Sequence, residues 1–269
     1  MSILVSVVVP LYNKVNTICL TLDSVRQQVY QNLEIIVVDD GSTDQSVSFV
    51  KQIEDSRLRI ISQKNGGQSA ARNLGIVAAR GECIAFLDAD DIWETDHIQT
   101  LVALMDKYPT AGLLATAYRS VYRGGYSLET KAVAQNGKTL DFIVNDYFSL
   151  ASVAPFVWVS ATAVPKHVFS DVGYFLEGEH RGADREMWAR IALRYDVAYC
   201  RCARATYNCV AENRESNKTR QLQFPPAIAL LDSQSSNRRY SNLKDSITKY
   251  KHTLIIGYLA KALFAGNRG

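Results

Sequence analysis

The chain has 269 residues, a formal net charge of +3 at pH 7, 47% hydrophobic residues and 21% charged residues. That balance excludes a disordered chain, and so small a charge leaves no basic footprint for nucleic acid. The five cysteines, Cys19, Cys83, Cys200, Cys202 and Cys209, are an odd count, and the C-x-C of Cys200 and Cys202 lacks the spacing and second pair of a zinc site. The first residues carry neither the charged region nor the cleavage site of a signal peptide. No apolar run reaches the roughly 18 residues that span a bilayer. The expectation is a protein made and kept in a reducing cytoplasm.

Residues 3–9 form an almost continuous β-branched run stopped by Pro10, the mark of a central parallel strand. Asn16 or Thr17 is placed to cap a helix with Ile18, Leu22, Val25 and Val29 on one face. Residues 33–38 repeat the strand signal and run into Asp39-Asp40-Gly41-Ser42. Helix follows, with Val47, Val50 and Ile53 aligned, then a short strand over Leu58–Ile61. The pattern predicts a helix over 69–80, a strand over Cys83–Leu87, a helix over 95–107 and a strand over 112–117. Alternating strand and helix predict an α/β fold with a mostly parallel, doubly wound sheet and helices on both faces. Ligands of such sheets bind beyond the carboxyl ends of the strands. The polar clusters Tyr12-Asn13, Asp39-Asp40 and Asp88-Ala89-Asp90-Asp91 fall at those ends.

The second half is less regular. Residues 118–150 are polar, 153–164 are apolar and β-prone, and a helix is predicted to start near Asp184 with Trp188, Ile191 and Tyr195 beneath it. Residues 211–225 read as an exposed loop, and a helical extension follows to the C-terminus. The expected organisation is 1–117 and 118–210 as two halves of one domain, and 211–269 as loop and helical extension. Residues 238–265 join a basic stretch to an apolar one. That suits peripheral contact with an anionic membrane, or packing on the core or on another subunit of a homo-oligomer.

Each acidic cluster has two readings on its own. Asp39 and Asp40 suit a turn and helix cap, or acceptance of a hydrogen bond from a pyrimidine imide. Asp88 and Asp90 suit a helix start with Asp91 or Thr95 as cap, or a Mg²⁺ or Mn²⁺ site completed by phosphate and water. Asp184 suits an N-cap, where the helix dipole favours a carboxylate, or a general base. Between them, Arg72 follows the glycines of Lys64-Asn65-Gly66-Gly67. It reads as an exposed loop arginine or as a side chain reaching a diphosphate.

Taken in order, four motifs resemble the family 2 glycosyltransferases of the GT-A fold. They are Ser6–Asn13, Val37–Asp44, Asn65–Asn73 and Gly81–Asp91, with a weaker continuation from Val172 to Phe175 and from Gly182 to Trp188. The resemblance implies a Rossmann-like GT-A fold and roles for individual residues. Tyr12 would stack on the nucleobase with Pro10 beside it. Asp40 would bond the base, with Asp39 close to the ribose or base. Arg72 would lie by the nucleotide, Asp88 by the ribose or donor sugar, and Asp90 on the metal. Asp184 would be the catalytic base. Ala183 stands where the family often carries a glutamate.

The function these roles imply is transfer of a sugar from a nucleoside diphosphate, UDP before TDP or GDP, to a saccharide or lipid-linked saccharide acceptor. One base and one displacement give inversion. A sugar nucleotidyltransferase is the rival enzyme, but Pro10-Leu11-Tyr12-Asn13-Lys14 is no glycine- and lysine-rich loop. A non-catalytic nucleotide-sugar or glycan-binding module is the other alternative.

Overall fold

In the computed structural model, residues 2–130, 139–179, 181–212, 224–234 and 238–266 are described. Strands β1 (Val5–Leu11) and β2 (Leu33–Asp39) are buried along their whole lengths, as mostly apolar runs require, and their inner polar residues Ser6 and Glu34 bond each other at 2.6 Å. Both pair in parallel, β1 also with β4 (Cys83–Phe86) and β2 with β3 (Leu58–Ser62). The sheet order is β3-β2-β1-β4-β9-β6-β10-β5. Here β5 is Ile92–Trp93, β6 is Ala111–Val121, β9 is Thr162–Pro165 and β10 is Asp196–Asn208. Two short strands pair alongside, β7 (Ser127–Glu129) with β6 and β8 (Asp141–Ile143) with β10.

Beyond β4 the sheet becomes mixed, because β9 runs antiparallel to both β4 and β6. The apolar stretch at 153–164 therefore contributes a strand only from Thr162, after a single 3₁₀ turn over Val159–Ala161. The thirteen-residue β10 has no counterpart in the sequence reading; its register with β6 shifts at Cys200/Ala203 and Ala203/Ala205. One sheet runs through both expected halves, and β6 crosses the boundary set at 117.

Successive residues of a strand face opposite sides. Val7, Val9 and Leu11 join one core with Ile18 and Leu22 of α1 (Ile18–Arg26), Val50 of α2 (Ser46–Lys51) and Ile98 and Leu101 of α4 (His97–Lys107). Val8 joins the other core with Ile76 of α3 (Gln68–Ala78), Phe148 of α5 (Tyr147–Ala151), Phe169 of α6 (Lys166–Val172) and Trp188 of α7 (Ala183–Ala192). Gly75 permits the close approach of α3 to β1, since a Cβ there would meet Val8 Cγ1 at 2.3 Å. Val29 does not continue the α1 stripe; it lies beyond the helix and is exposed. Likewise α4 begins at His97, with Asp96 at the capping position, so neither Asp91 nor Thr95 caps it.

The helical extension comprises α8 (Pro226–Gln234) and α9 (Lys244–Gly266), while residues 213–223 of the expected 211–225 loop lie outside the described residues. Ile247, Tyr250 and Leu254 of α9 are buried, with Tyr250 against Tyr147 and Phe148. Ile256, Leu259 and Leu263 are exposed. No helix among the described residues is long and apolar enough to cross a membrane.

Candidate functional site

Pro10 lies within β1, and Tyr12 stands just past its end, 37% exposed. Asn13 then takes a left-handed conformation, φ 52°, which asparagine tolerates better than most residues. Its side-chain oxygen accepts the Thr43 N–H at 2.8 Å, and its own N–H donates to Ser42 Oγ at 3.2 Å. The ends of β1 and β2 are therefore tied together.

At the end of β2, Asp39 Oδ1 accepts the Ser42 N–H at 2.9 Å and shapes the turn. Asp40 is 4% exposed and reaches the other way. Its Oδ1 accepts from Gln63 Nε2 at 2.7 Å and Gly66 N at 2.8 Å, and its Oδ2 accepts from Gly67 N at 2.9 Å. A carboxylate offers about four lone-pair sites, so most of Asp40's capacity is spent on the 63–67 loop. Neither aspartate caps α2, which starts at Ser46.

That loop leads into α3, whose Arg72 is 4% exposed rather than a solvated loop arginine. Arg72 Nη2 donates to Asp88 Oδ1 at 2.7 Å, and Gln68 Nε2 donates to the same oxygen at 2.9 Å. The guanidinium carbon lies 5.5 Å from the centre of the Phe175 ring. Arg72 Nε is buried with no hydrogen-bond partner among the described residues.

Asp88, Asp90 and Asp91 form the turn after β4. Thr17 Oγ1 and Thr21 Oγ1 of the α1 region donate to the carbonyls of Ala89 (2.8 Å) and Asp91 (2.9 Å) and fix the turn from below. Asp90 Oδ2 accepts from Lys14 Nζ at 2.6 Å. Asp91 is wholly buried and accepts from Ser160 Oγ (2.6 Å), Trp158 Nε1 (2.9 Å) and Asn208 N (3.0 Å). Burial, then the Asp88 and Asp90 charges, push its carboxyl up to about 8. Ser160 Oγ also accepts the Asp88 N–H at 3.1 Å.

Asp184 is the second residue of α7, after Gly182 in the left-handed region. Its partners are aromatic. Burial first, with help from the Asp184 charge, raises the phenols of Tyr118, Tyr147 and Tyr250, the last to about 12. Tyr118 packs on Trp158 at 6.1 Å between ring centres, and Trp158 packs on Tyr207 at 4.0 Å. Trp158 thus links Tyr118 to the 88–91 turn. Behind this, Trp188 of α7 packs on Phe86 and Phe175. Ala183 is buried.

Arg72 with Asp88 and the 63–67 loop with Asp40 are therefore in contact, whereas Asp184 lies on α7, whose Trp188 shares Phe175 as a neighbour with Arg72. Sequence reasoning passed over Lys14, Ser160 and Trp158, and treated Asp91 as a cap. Lys14 had a signal, standing in the same strand-end motif as Tyr12. Ser160 and Trp158, far along the chain, had none. Among the described residues no group of three or more His, Cys, Asp or Glu side chains is placed to hold a metal by itself.

The chain resembles several characterised proteins. It is 45% identical over 104 residues to the glycosyltransferase GlyG of Streptococcus pneumoniae, over 38% of this chain and 35% of that protein. It is 42% identical over 106 residues to WfaP of Escherichia coli, a UDP-Glc:alpha-D-GlcNAc-diphosphoundecaprenol beta-1,3-glucosyltransferase, over 38% of this chain and 41% of that one. The matched stretch is less than half the length of these relatives. In fold it resembles S. aureus TarS 1–349, solved in complex with UDP-GlcNAc, with a TM-score of 0.68 at 21% identity, covering 86% of this chain and 65% of that one. The family profile of glycosyl transferase family 2 matches residues 6–173, more than half of the chain and every strand end described above up to β9. This mixed α/β chain belongs to glycosyl transferase family 2.

Proposed function

We propose that the chain is an inverting glycosyltransferase that moves a sugar from a nucleoside diphosphate, preferably UDP, to an acceptor hydroxyl in polysaccharide or glycolipid synthesis. The observation that carries this is the 88–91 turn. It presents two acids at the carboxyl end of β4, each matched by a basic side chain, Asp88 by Arg72 and Asp90 by Lys14. A diphosphate needs such an array of positive donors, and Arg72 Nε is a donor still unspent. WfaP, named for a UDP-glucose donor and a diphosphoundecaprenol-linked acceptor, supports UDP and a lipid-linked acceptor.

In this reading Tyr12 stacks on the base beside Pro10, Asp39 and Asp40 shape the base and ribose end, and Arg72 and Asp88 hold the nucleotide and sugar. The turn suits Mg²⁺ or Mn²⁺ through its hard carboxylate oxygens, and the Lys14 ammonium 2.6 Å from Asp90 Oδ2 supports a positive charge at that position. Asp90, with Asp88 near it, would hold the ion, which when bound offsets charge on the diphosphate leaving group. Asp184 takes the proton from the acceptor hydroxyl. Trp158, bonded to Asp91 and packed on Tyr118, supplies an aromatic wall beside the turn. Contact with a membrane, or with a second copy, belongs to 238–265, where Ile256, Leu259 and Leu263 are exposed.

Thermal melts and turnover test the proposal together. UDP with Mn²⁺ should raise Tm more than TDP or GDP does; at about 100 times Kd the gain is about 2.7 kcal/mol. Asp184→Asn should keep that shift and lose roughly 10²–10⁴-fold in sugar transfer. Near-normal transfer by Asp184→Asn removes the base.

A further inference from the structure

Lys14 leaves β1 on a fixed backbone. Asn13 before it is clamped to residues 42–44, and the Lys14 N–H donates to Ser46 Oγ at 2.8 Å. From that anchor the side chain crosses to the 88–91 turn. Its ammonium donates to Asp90 Oδ2 at 2.6 Å and to the Glu212 carbonyl at 3.1 Å. The two side chains of the ion pair are 13% and 12% exposed. A carboxylate so shielded is costly without a countercharge, and the lysine supplies it.

A divalent ion on Asp90 would share one carboxylate with the ammonium that is bonded to Oδ2. Two cations on one carboxylate repel, and the flexible four-carbon stem of lysine lets the ammonium give way. Added to the turn with Lys14 still present, the ion leaves an excess of positive charge. A diphosphate brings the negative charge that balances both. We propose that Lys14 is the resident cation of Asp90 and competes with the divalent ion for it, so that metal loading is coupled to arrival of the nucleoside diphosphate. This rests on reading the 88–91 turn as the donor site. By linkage the coupling is reciprocal: the diphosphate tightens the ion as much as the ion tightens the diphosphate.

The test measures Mn²⁺ binding to the full chain by electron paramagnetic resonance titration, with and without UDP. The variants are Lys14→Gln, Lys14→Met and Asp90→Asn. Both lysine variants should bind Mn²⁺ alone about tenfold more tightly than the natural chain, the size expected when one charge-assisted hydrogen bond stops competing. UDP should then raise Mn²⁺ affinity by a smaller factor in them. A misfolded variant loses affinity, so a gain cannot come from damage. Equal Mn²⁺ affinity in all three lysine-position chains, with binding still lost in Asp90→Asn, overturns the competition and leaves the metal site standing. Full Mn²⁺ binding by Asp90→Asn overturns both.

Discussion

Asp40→Asn separates two roles for one carboxylate. Asp40 holds the 63–67 loop through three hydrogen bonds, two of them from the backbone amides of Gly66 and Gly67. Asparagine keeps one acceptor oxygen and replaces the other by an NH₂ donor. In its better orientation the oxygen still serves Gln63 and Gly66, and the NH₂ faces the Gly67 N–H. One charge-assisted bond, worth about 1.5–3 kcal/mol, is lost, and a shielded amide loses its partner at about 1–3 kcal/mol. Allowing for the loop's freedom to relax, the local cost is about 2–4 kcal/mol. Every 1.4 kcal/mol is about tenfold, so amide hydrogen exchange at Gly66 and Gly67 should speed up by roughly 30-fold or more, with a fall in UDP affinity. If exchange at both amides and Tm stay unchanged while UDP affinity is lost, the loop argument is wrong and Asp40 acts on the base directly.

Two further substitutions test how the frame beneath the site is built. His97, the first residue of α4, is wholly buried against Trp93, its two ring nitrogens without hydrogen-bond partners among the described residues. Burial, then the Arg204 charge, lowers its pKa to about 3 from 6.5. The unfolded chain therefore binds a proton that the folded chain refuses, and stability present above pH 6.5 is lost as pH falls towards 3. Between pH 7.5 and 5.5 that loss is about 1.4 kcal/mol. His97→Phe should abolish this part of the acid sensitivity in paired urea melts, whereas an unchanged pH slope would show that His97 is not its source. Gly75→Ala should lower stability by up to about 2 kcal/mol. The new Cβ meets Val8 Cγ1 at 2.3 Å in a rigid strand, an overpacking cost of about 1–3 kcal/mol that exceeds the gain of about 1 kcal/mol in helix propensity. Tilting α3 off β1 also displaces Arg72, so UDP affinity should fall with Tm; a more stable variant would contradict the packing.

The strand ends that carry Tyr12, Asp39, Asp40, Asp88 and Asp90 were legible because the signals that mark them are local. β1, β2 and β4 are buried on both faces, so their sequences are nearly continuous apolar runs, broken only by the mutually bonded Ser6 and Glu34 before the strand ends, and the polar clusters mark where the runs stop. Asp184 was legible as a helix start for the same reason. What lies across the sheet was not. β10 carries Arg201 and Arg204 among its apolar residues and shifts register twice near them, which erases the period-two pattern. Trp158 and Ser160 become site neighbours only because β9 inserts antiparallel between β4 and β6, a pairing that periodicity does not encode. The ion pairs Arg72–Asp88 and Lys14–Asp90 span separations that spacing alone does not reveal.

Asp91 explains why the two sides behave as one piece. Placing a carboxyl in full burial is unfavourable, and its elevated pKa records that cost. The position is tolerable because three donors converge on it, from Ser160, Trp158 and the Asn208 backbone. Those donors belong to the segment before β9 and to the end of β10, while Asp91 itself extends the turn that carries Asp88 and Asp90. A buried, fully bonded junction resists distortion more than a surface contact does. A shift of Asp88 and Asp90 is therefore passed to Trp158, and from Trp158 to Tyr118 and Tyr207 packed on it. On the proposed reading this junction would set how the nucleotide end of the site sits against the Trp158 and Tyr118 side.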